Sequence, residues 1–440
     1  MTFDDDWRVD RLTLSNYRCF RELSLDFAAP VTALVGTNGS GKTAVLDALA
    51  VMLSTVIREF GGQSQGFATR DATVRASDLG SYDAVATLEP MYPVTAEAIA
   101  SVSGLDFVWQ RARGSERGRT TWGSADLRTF AHSLAERARS ENLGAPRLPV
   151  LAYYGVERLL GVRRADGYVK SSRFSAYAAA LNPKSDLTRL SGFLEVLATQ
   201  ITSAVAFGDP PPRAARAQFD AIEEACDIVL ASTGWSRPRW NPAVRELTLT
   251  HSSGQTLPLS WLASGIKISA GLAIDLASRM ARANPGLGSR ELLATTPGVV
   301  LIDEVDLHLH PAWQQKIVPS LTEAFPRIQF IITTHSPQVL STIDARSVRI
   351  LEGESVRIPE HSAGLRSDVI LRNIQGTKPE PDIEQRRELA AYLELVYANR
   401  GESDPARELR VRIEERLGGV ANNPELADAD AYMAVVDLGI

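Results

Sequence analysis

Apolar positions along this chain follow two periods. Leu12, Leu14, Leu23, Leu25 and Phe27 alternate with polar residues, which predicts two half-buried strands joined by a turn near Asn16-Tyr-Arg-Cys-Phe20. Four other runs are apolar on both faces: residues 31–35, 148–154, 299–302 and 330–333. These predict fully buried strands. Val45, Leu49, Met52 and Leu53 recur at helical spacing, and so do Ile268, Leu272, Leu276 and Met280 in a helix that starts at Gly265. Buried strands alternating with helices predict an α/β fold with a parallel sheet covered on both sides.

Between these elements the pattern loosens. Residues 58–75 are rich in Gly, Gln and Ser and predict an irregular, mobile loop. Residues 82–110 contain extended runs that end at Leu105-Asp-Phe-Val-Trp109, and a helix is expected over 125–140. From about 156 to 242, helical stretches (186–202 and 214–231) alternate with breaks at Asp209-Pro-Pro-Pro212 and Arg237-Pro-Arg-Trp240. No sustained heptads or internal repeats occur, which excludes a long coiled-coil arm. Residues 246–250 and 256–259 flank Ser252-Ser-Gly-Gln255, a hairpin pattern. Beyond 376, Leu389, Tyr392, Leu393 and Val396 make a narrow stripe in charged sequence, which predicts a C-terminal helical pair, either a packing appendage or a docking site. The expected division is an N-terminal lobe (1–155), an inserted, mainly helical subdomain (156–242), a C-terminal lobe (243–375) and a helical extension (376–440).

Composition narrows the class. The chain has 440 residues, with 44% hydrophobic and 23% charged, as a soluble globular protein has. A net charge of −6 excludes an obligate polycation, so any nucleic-acid surface must be a local patch. Cys19 and Cys226 lack metal-ligand spacing and read as two buried or idle thiols in a reducing compartment. The acidic start without an apolar run is not a signal peptide, and no apolar stretch has membrane-spanning length, so a cytoplasmic location is expected.

The chemistry concentrates in four motifs. Gly-Thr-Asn-Gly-Ser-Gly-Lys-Thr at residues 36–43 fits the phosphate loop, placed between a buried strand and a helix as that loop requires. Gly36, Asn38, Gly39, Ser40 and Gly41 would cradle phosphates with backbone N–H groups. Lys42 would reach the β- and γ-phosphates of ATP, and the Thr43 hydroxyl would ligate Mg²⁺. Asp303 and Glu304 follow the buried strand at 299–302, where Asp303 can hold Mg²⁺ and Glu304 can polarise a water. His335, after the next strand, can contact the γ-phosphate or orient that water. Ser264 and Gly265 open the helix after Leu262-Ala263, an anion-accepting position.

In that order these motifs resemble the ABC-type ATPases of the RecF/SMC/Rad50 branch: Walker A at 36–43, a signature at 262–265, Walker B at 299–304 and a switch histidine. Within the branch, Asp303-Glu-Val-Asp-Leu-His-Leu-His-Pro311 and Thr333-Thr-His-Ser-Pro337 are similar to a group of stand-alone bacterial ATP-binding proteins that includes PtuA, the ATPase of Septu-type anti-phage systems. Residues 148–154, 177–183 and the charged tail resemble that group too. The resemblance implies an ABC-ATPase head: a P-loop parallel sheet plus an antiparallel β subdomain. It also implies an ATPase that forms a homodimer or higher oligomer, in which Ser264 and Gly265 of one head cap the ATP held by the other.

Two positions depart from the family pattern: Ala263, where a serine is usual, and Ile266, where Glu or Gln is usual. The missing hydroxyl removes a γ-phosphate hydrogen bond worth about 0.5–1.5 kcal/mol, so either slow hydrolysis or ATP acting mainly as a clamp is expected. Gln65 and Asp78 are the weak candidates for the glutamine that normally contacts the metal. His308 and His310 could suggest a metal site, but the resemblance assigns them to the loop after Walker B that faces the partner head.

Arg111, Arg113, Arg117 and Arg119, with Trp109 and Trp122 nearby, could track a nucleic-acid backbone or could form a solvated hairpin loop. Three functions are therefore weighed. The first is an anti-phage ATPase that regulates or positions a separately encoded nuclease such as an HNH protein, since the chain has no nuclease pattern of its own. The second is a RecF-like repair ATPase that clamps DNA. The third is a nucleotide-gated scaffold with little hydrolysis.

Overall fold

The computed structural model describes residues 6–76, 88–123, 125–140, 146–157, 172–184 and 188–437. The chain divides into two compact units, Met1–Gln375 and Gly376–Ile440. The first half of unit one runs β1 (Trp7–Tyr17), β2 (Phe20–Asp26), β3 (Val31–Val35), α1 (Lys42–Glu59), β4 (Val74–Ala76), β5 (Leu88–Pro90), β6 (Val94–Val102), β7 (Leu105–Arg113), α2 (Ala125–Arg139) and β8 (Val150–Tyr154). Then follow α3 (Thr188–Ala206), α4 (Arg213–Leu230), β9 (Trp235–Asn241), β10 (Glu246–His251), β11 (Thr256–Pro258), α5 (Ser264–Ala283), α6 (Ser289–Thr295) and β12 (Gly298–Ile302). The unit closes with α7 (Pro311–Ala324), β13 (Ile328–Thr333), α8 (Pro337–Leu340), β14 (Val348–Glu352), β15 (Ser355–Arg357) and α9 (Ser367–Asn373).

Six strands form the central sheet in the order β15-β14-β3-β13-β12-β8. Every neighbouring pair is parallel except β14 and β15. The doubly apolar runs are its interior, buried at each position of β3, β8, β12 and β13. Alternation sorts their side chains between two cores. Ala33, Ala152, Val300 and Ile332 pack with residues of α4, α5 and α7. Leu34, Tyr153, Leu301 and Ile331 pack with α1 and the antiparallel sheet β2-β1-β6-β7. Helix α1 is buried almost all round because it has a sheet on each side, touching β6 of one and β8, β12 and β13 of the other. This is the expected α/β architecture, a mainly parallel sheet and an antiparallel sheet with α1 between them and further helices outside.

The expected turn at residues 16–20 is Arg18-Cys19 between β1 and β2. Residues 60–73 are irregular as expected, but they are packed rather than loose, with Phe60 and Phe67 buried. Arg111 anchors them: its guanidinium donates to the carbonyls of Val51, Gln65 and Thr121 and to the Ser54 hydroxyl. The hairpin at 246–258 forms with β9 as a third strand.

In the second unit α10 (Glu384–Tyr397) and α11 (Asp404–Leu417) are joined by α12 (Pro424–Asp437). The expected pair is thus three helices around Leu389, Tyr392, Val396, Ile413 and Leu426. The third helix was illegible because its buried stripe includes Ala429, which adds little to an apolar pattern. Arg410 ties the unit with paired contacts to Asp430 at 2.8 and 3.0 Å.

Helix α5 is buried almost throughout, and it carries charge into the core. Asp275 Oδ2 accepts from Tyr154 Oη and from Arg279 Nε, both at 2.8 Å. Burial alone would push the Asp275 carboxyl up. Arg279 and Arg282, with the hydrogen bonds from Arg279 and Tyr154, outweigh it and hold the group below the usual carboxylate range. Replacing Asp275 strands a buried guanidinium, so Asp275→Ala is expected to cost about 3–5 kcal/mol, read as a lower Tm. The native pKa is depressed, so the contribution of Asp275 is present above about pH 4 and fades as pH falls through its native value. The Tm gap between wild type and Asp275→Ala is therefore expected to narrow only in acid.

Candidate functional site

The site lies at the carboxyl ends of β3, β13 and β12. β13 stands between the other two, so residues leaving β3 and β12 flank it. From Val35 the chain turns through residues 36–41 into α1. Gly41 has φ 92, a left-handed conformation, and a Cβ there would meet the Phe20 ring at 2.2 Å and Cys19 Sγ at 2.6 Å. The Arg18-Cys19 turn thus braces the loop from behind. Arg18 is itself fixed by Asp47 at 2.6 Å and Asp71 at 2.9 Å, and Tyr153 donates to Asp47 at 2.9 Å.

Lys42 Nζ donates to the carbonyls of Gly36 and Thr37, each at 2.9 Å. Burial pulls its ammonium below the ordinary lysine value, against the pull of Asp303 and Glu304. Asn38, Gly39 and Ser40 form the bend, and Ser40 Oγ is buried without a hydrogen-bond partner. A buried orphan hydroxyl among backbone N–H groups at a helix start suits an anion, so these residues fit a bound phosphate.

One step beyond the Ile302–Ile332 pair, the register of β12 and β13 sets Asp303 beside Thr333. Thr333 Oγ1 donates to Asp303 Oδ1 at 2.6 Å, and Thr43 Oγ1 donates to Asp303 Oδ2 at 3.0 Å. A hydroxyl and a carboxylate so placed are hard oxygen donors, and they fit Mg²⁺, which takes few protein ligands and leaves the remaining positions to water and phosphate. Glu304 follows with φ 47, and its N–H donates to Thr333 Oγ1 at 2.7 Å. A left-handed glutamate is strained, and Thr333 holds it there.

His335 is exposed at the end of β13, with its carbonyl accepting from Gln375 Nε2 at 2.9 Å. Thr334 donates to Asp306 at 2.5 Å, and Ser336 caps α8, so the whole Thr-Thr-His-Ser-Pro segment is pinned. Ser264 and Gly265 begin α5 against the turn after β12. A Cβ on Gly265 would lie 2.6 Å from the His308 carbonyl, so only glycine allows that approach. No hydrogen bond among the described residues joins Ser264 or Gly265 to residues 36–43, and Ala263 and Ser264 are exposed.

Other sequence expectations resolve differently. Gln65 donates to the Leu181 carbonyl rather than to the site. Asp78 lies outside the described residues. His310 Nδ1 accepts from Ala312 N–H as the cap of α7, and the described residues hold no cluster of three or more metal-type ligands. The basic cluster is broken up: Arg111 is buried and Arg113 donates to the carbonyls of Phe67, Ser115 and Glu116, leaving Arg117 and Arg119 exposed. Cys19 is exposed and Cys226 buried, both as free thiols.

A family model described as "AAA domain, putative AbiEii toxin, Type IV TA system" matches residues 110–341, more than half of the chain. The chain belongs to this AAA-domain family. A second AAA-domain model matches residues 11–206. The AAA-domain protein is 28% identical over 480 residues to the "Retron Ec83 probable ATPase" of Escherichia coli, across 93% of this chain and 84% of that one. It is 55% identical over 58 residues to the "Septu protein PtuA" of Bacillus mycoides, a match that spans 13% of this chain and 8% of that one. The resemblance to PtuA drawn from the motifs is met by these relatives. Among solved structures, an SMC head domain from Thermotoga maritima is 16% identical, with a TM-score of 0.42 over 78% of this chain and 94% of that one. No helix among the described residues is long and apolar enough to cross a membrane.

Thr333 is the residue whose role the motifs did not disclose. Its signal was a hydroxyl at a strand end beside the histidine, but only strand register shows that it faces Asp303. Thr333→Val keeps the shape and removes both hydrogen bonds. The expected outcome is a roughly tenfold loss of nucleotide affinity in the presence of Mg²⁺ and little change without it, measured by titration with ATP.

Proposed function

We propose that this AAA-domain protein is a cytoplasmic ATPase that binds Mg²⁺-ATP, closes as a dimer around it, and regulates or positions a separately encoded nuclease in anti-phage defence. One observation carries the reading: Asp303 lies between the Thr43 and Thr333 hydroxyls, with a strained glutamate directly after it. When bound, Mg²⁺ would neutralise phosphate charge, which phosphoryl transfer needs more than covalent chemistry. Thr43 and Asp303 would hold it. Lys42 would exchange its two loop carbonyls for phosphate oxygens. Glu304 would take a proton from the attacking water, with His335 orienting that water. Exposed Ser264, at the start of α5 with Gly265, would cap the nucleotide of a second copy, and Ala263, lacking a hydroxyl, would make turnover slow.

The defence role is supported by likeness to proteins named as a retron ATPase and a Septu PtuA. The DNA-clamping alternative keeps only Arg117 and Arg119 of its four arginines as exposed side chains, because Arg111 and Arg113 are committed to the fold.

Lys42→Ala is expected to abolish ATP binding. Glu304→Gln is expected to bind ATP normally, to lose about 10²–10⁴-fold in hydrolysis, and to double in mass with Mg²⁺-ATP in light scattering. Unchanged hydrolysis would remove Glu304 as the base, and a monomer under these conditions would remove the composite site. Co-purification with the product of the adjacent gene tests the nuclease partner.

A further inference from the structure

A tryptophan carries a large apolar surface that is normally buried in a core or held at an interface. Of the seven tryptophans, all within the described residues, Trp261 is the most exposed at 75%, and Trp122 follows at 37%. Trp261 ends a short 3₁₀ turn, Leu259–Trp261, between β11 and the start of α5.

The exposed indole stands on a fixed base. Leu259 and Leu262, on either side of the turn, are buried. The Ser260 N–H and Oγ both donate to the Glu246 carboxylate, the hydroxyl at 2.8 Å. Lys267 Nζ donates to the Ser260 carbonyl at 3.2 Å. With its backbone already held, Trp261 loses little freedom when something covers it, which favours binding.

Trp261 stands three residues before Ser264, and Ala263 and Ser264 are exposed too. Three residues span at most about 11 Å, so a protein surface that covers Ser264 also reaches Trp261. Local charge limits what that surface is. The first turn of α5 holds no acid and Lys267 follows it, so the approaching face must be neutral or negative. A nucleic-acid strand is negative but needs a row of cations, and from 252 to 278 Lys267 is the one Lys or Arg in the sequence. The phosphate-loop tip of a second copy meets both demands. Its Thr37, Asn38 and Gly39 are exposed and small, which leaves room for an indole, and a bound triphosphate makes that face anionic.

We propose that Trp261 is the aromatic anchor of the closure between two copies. On each copy it packs against the phosphate-loop tip of the other, beside the nucleotide that Ser264 caps, so a symmetric pair buries two indoles. This rests on the reading that a second copy completes the nucleotide site.

The test uses the full chain as Glu304→Gln with Mg²⁺-ATP, and light scattering over a dilution series gives the dimer dissociation constant. Glu304→Gln/Trp261→Ala is expected to dissociate at least about thirtyfold more readily, the loss of one interface hot spot. ATP titrated at protein concentrations below association is expected to bind this variant as it binds Glu304→Gln. Glu304→Gln/Trp261→Phe keeps a ring and is expected to dimerise. Tryptophan emission of Glu304→Gln is expected to shift to the blue on adding Mg²⁺-ATP, and the Phe variant to lose most of that shift. Because Trp261 is exposed, both variants are expected to unfold at the Glu304→Gln temperature without nucleotide. Equal dimerisation of the Ala variant, or a full emission shift in the Phe variant, would overturn the proposal and leave the two-copy site standing. Weaker ATP binding by the dilute Ala variant would overturn it as well, by placing Trp261 at its own copy's nucleotide. If Glu304→Gln itself stays monomeric, the two-copy reading falls and the proposal falls with it.

Discussion

Much of unit one depends on one contact, the carboxylate of Asp303 held between two hydroxyls. Thr43 comes from the first turn of α1 and Thr333 from the end of β13, so this side chain joins three elements that are far apart in sequence. The contact exists only because β3, β13 and β12 are adjacent, parallel and in one register. A slip of one residue between β12 and β13 would turn Asp303 into a core and Ile302 toward the site. The doubly apolar strands forbid such a slip less by their own pattern than by what each face meets, helices α4, α5 and α7 on one side and α1 on the other. Burial of the sheet on both faces is thus what sets the geometry of its polar end.

The support extends outward from there. Gly41 is held by Cys19 and Phe20, their turn is held by Arg18, and Arg18 by Asp47 and Asp71. Tyr153, one strand position before the deeply buried Tyr154, closes the same network on Asp47. A phosphate loop must present backbone N–H groups in a fixed curve, and glycine supplies the freedom to form that curve rather than the rigidity to keep it. The rigidity here comes from the strand turn behind it and from α1, which is clamped between two sheets.

The sequence disclosed the elements whose chemistry is local. The phosphate loop, the acid pair and the strand-end histidine are each a short run with a mechanism attached, and the parallel sheet follows from four runs without polar alternation. What stayed hidden depended on long-range pairing. Arg111 looked like one of four exposed arginines, because nothing in residues 111–119 shows that its carbonyl acceptors sit on α1 and in the loop after it. Thr333 looked like strand, because its partner is 30 residues away. Helix α12 was missed because alanine packs well and signals poorly.

Helix α5 carries this contrast through its length. Its first residues, Ser264 and Gly265, are kept open by an approach to the His308 carbonyl that only glycine permits, and the surface there is exposed. Its middle is fully buried and bears Asp275 and Arg279, an ion pair whose desolvation cost is repaid only by complete hydrogen bonding. Such a pair fixes the helix's rotation, since any turn about its axis would break the bonds to Tyr154 and to the Ala176 carbonyl. Tyr154 ends β8, the neighbour of β12, and its carbonyl accepts from Asp303 N–H at 2.8 Å. The orientation of α5 is therefore tied, through one tyrosine, to the strand end that bears Asp303. The exposed start of α5 and the Asp303 carboxylate therefore share one buried support, the Asp275–Arg279–Tyr154 cluster.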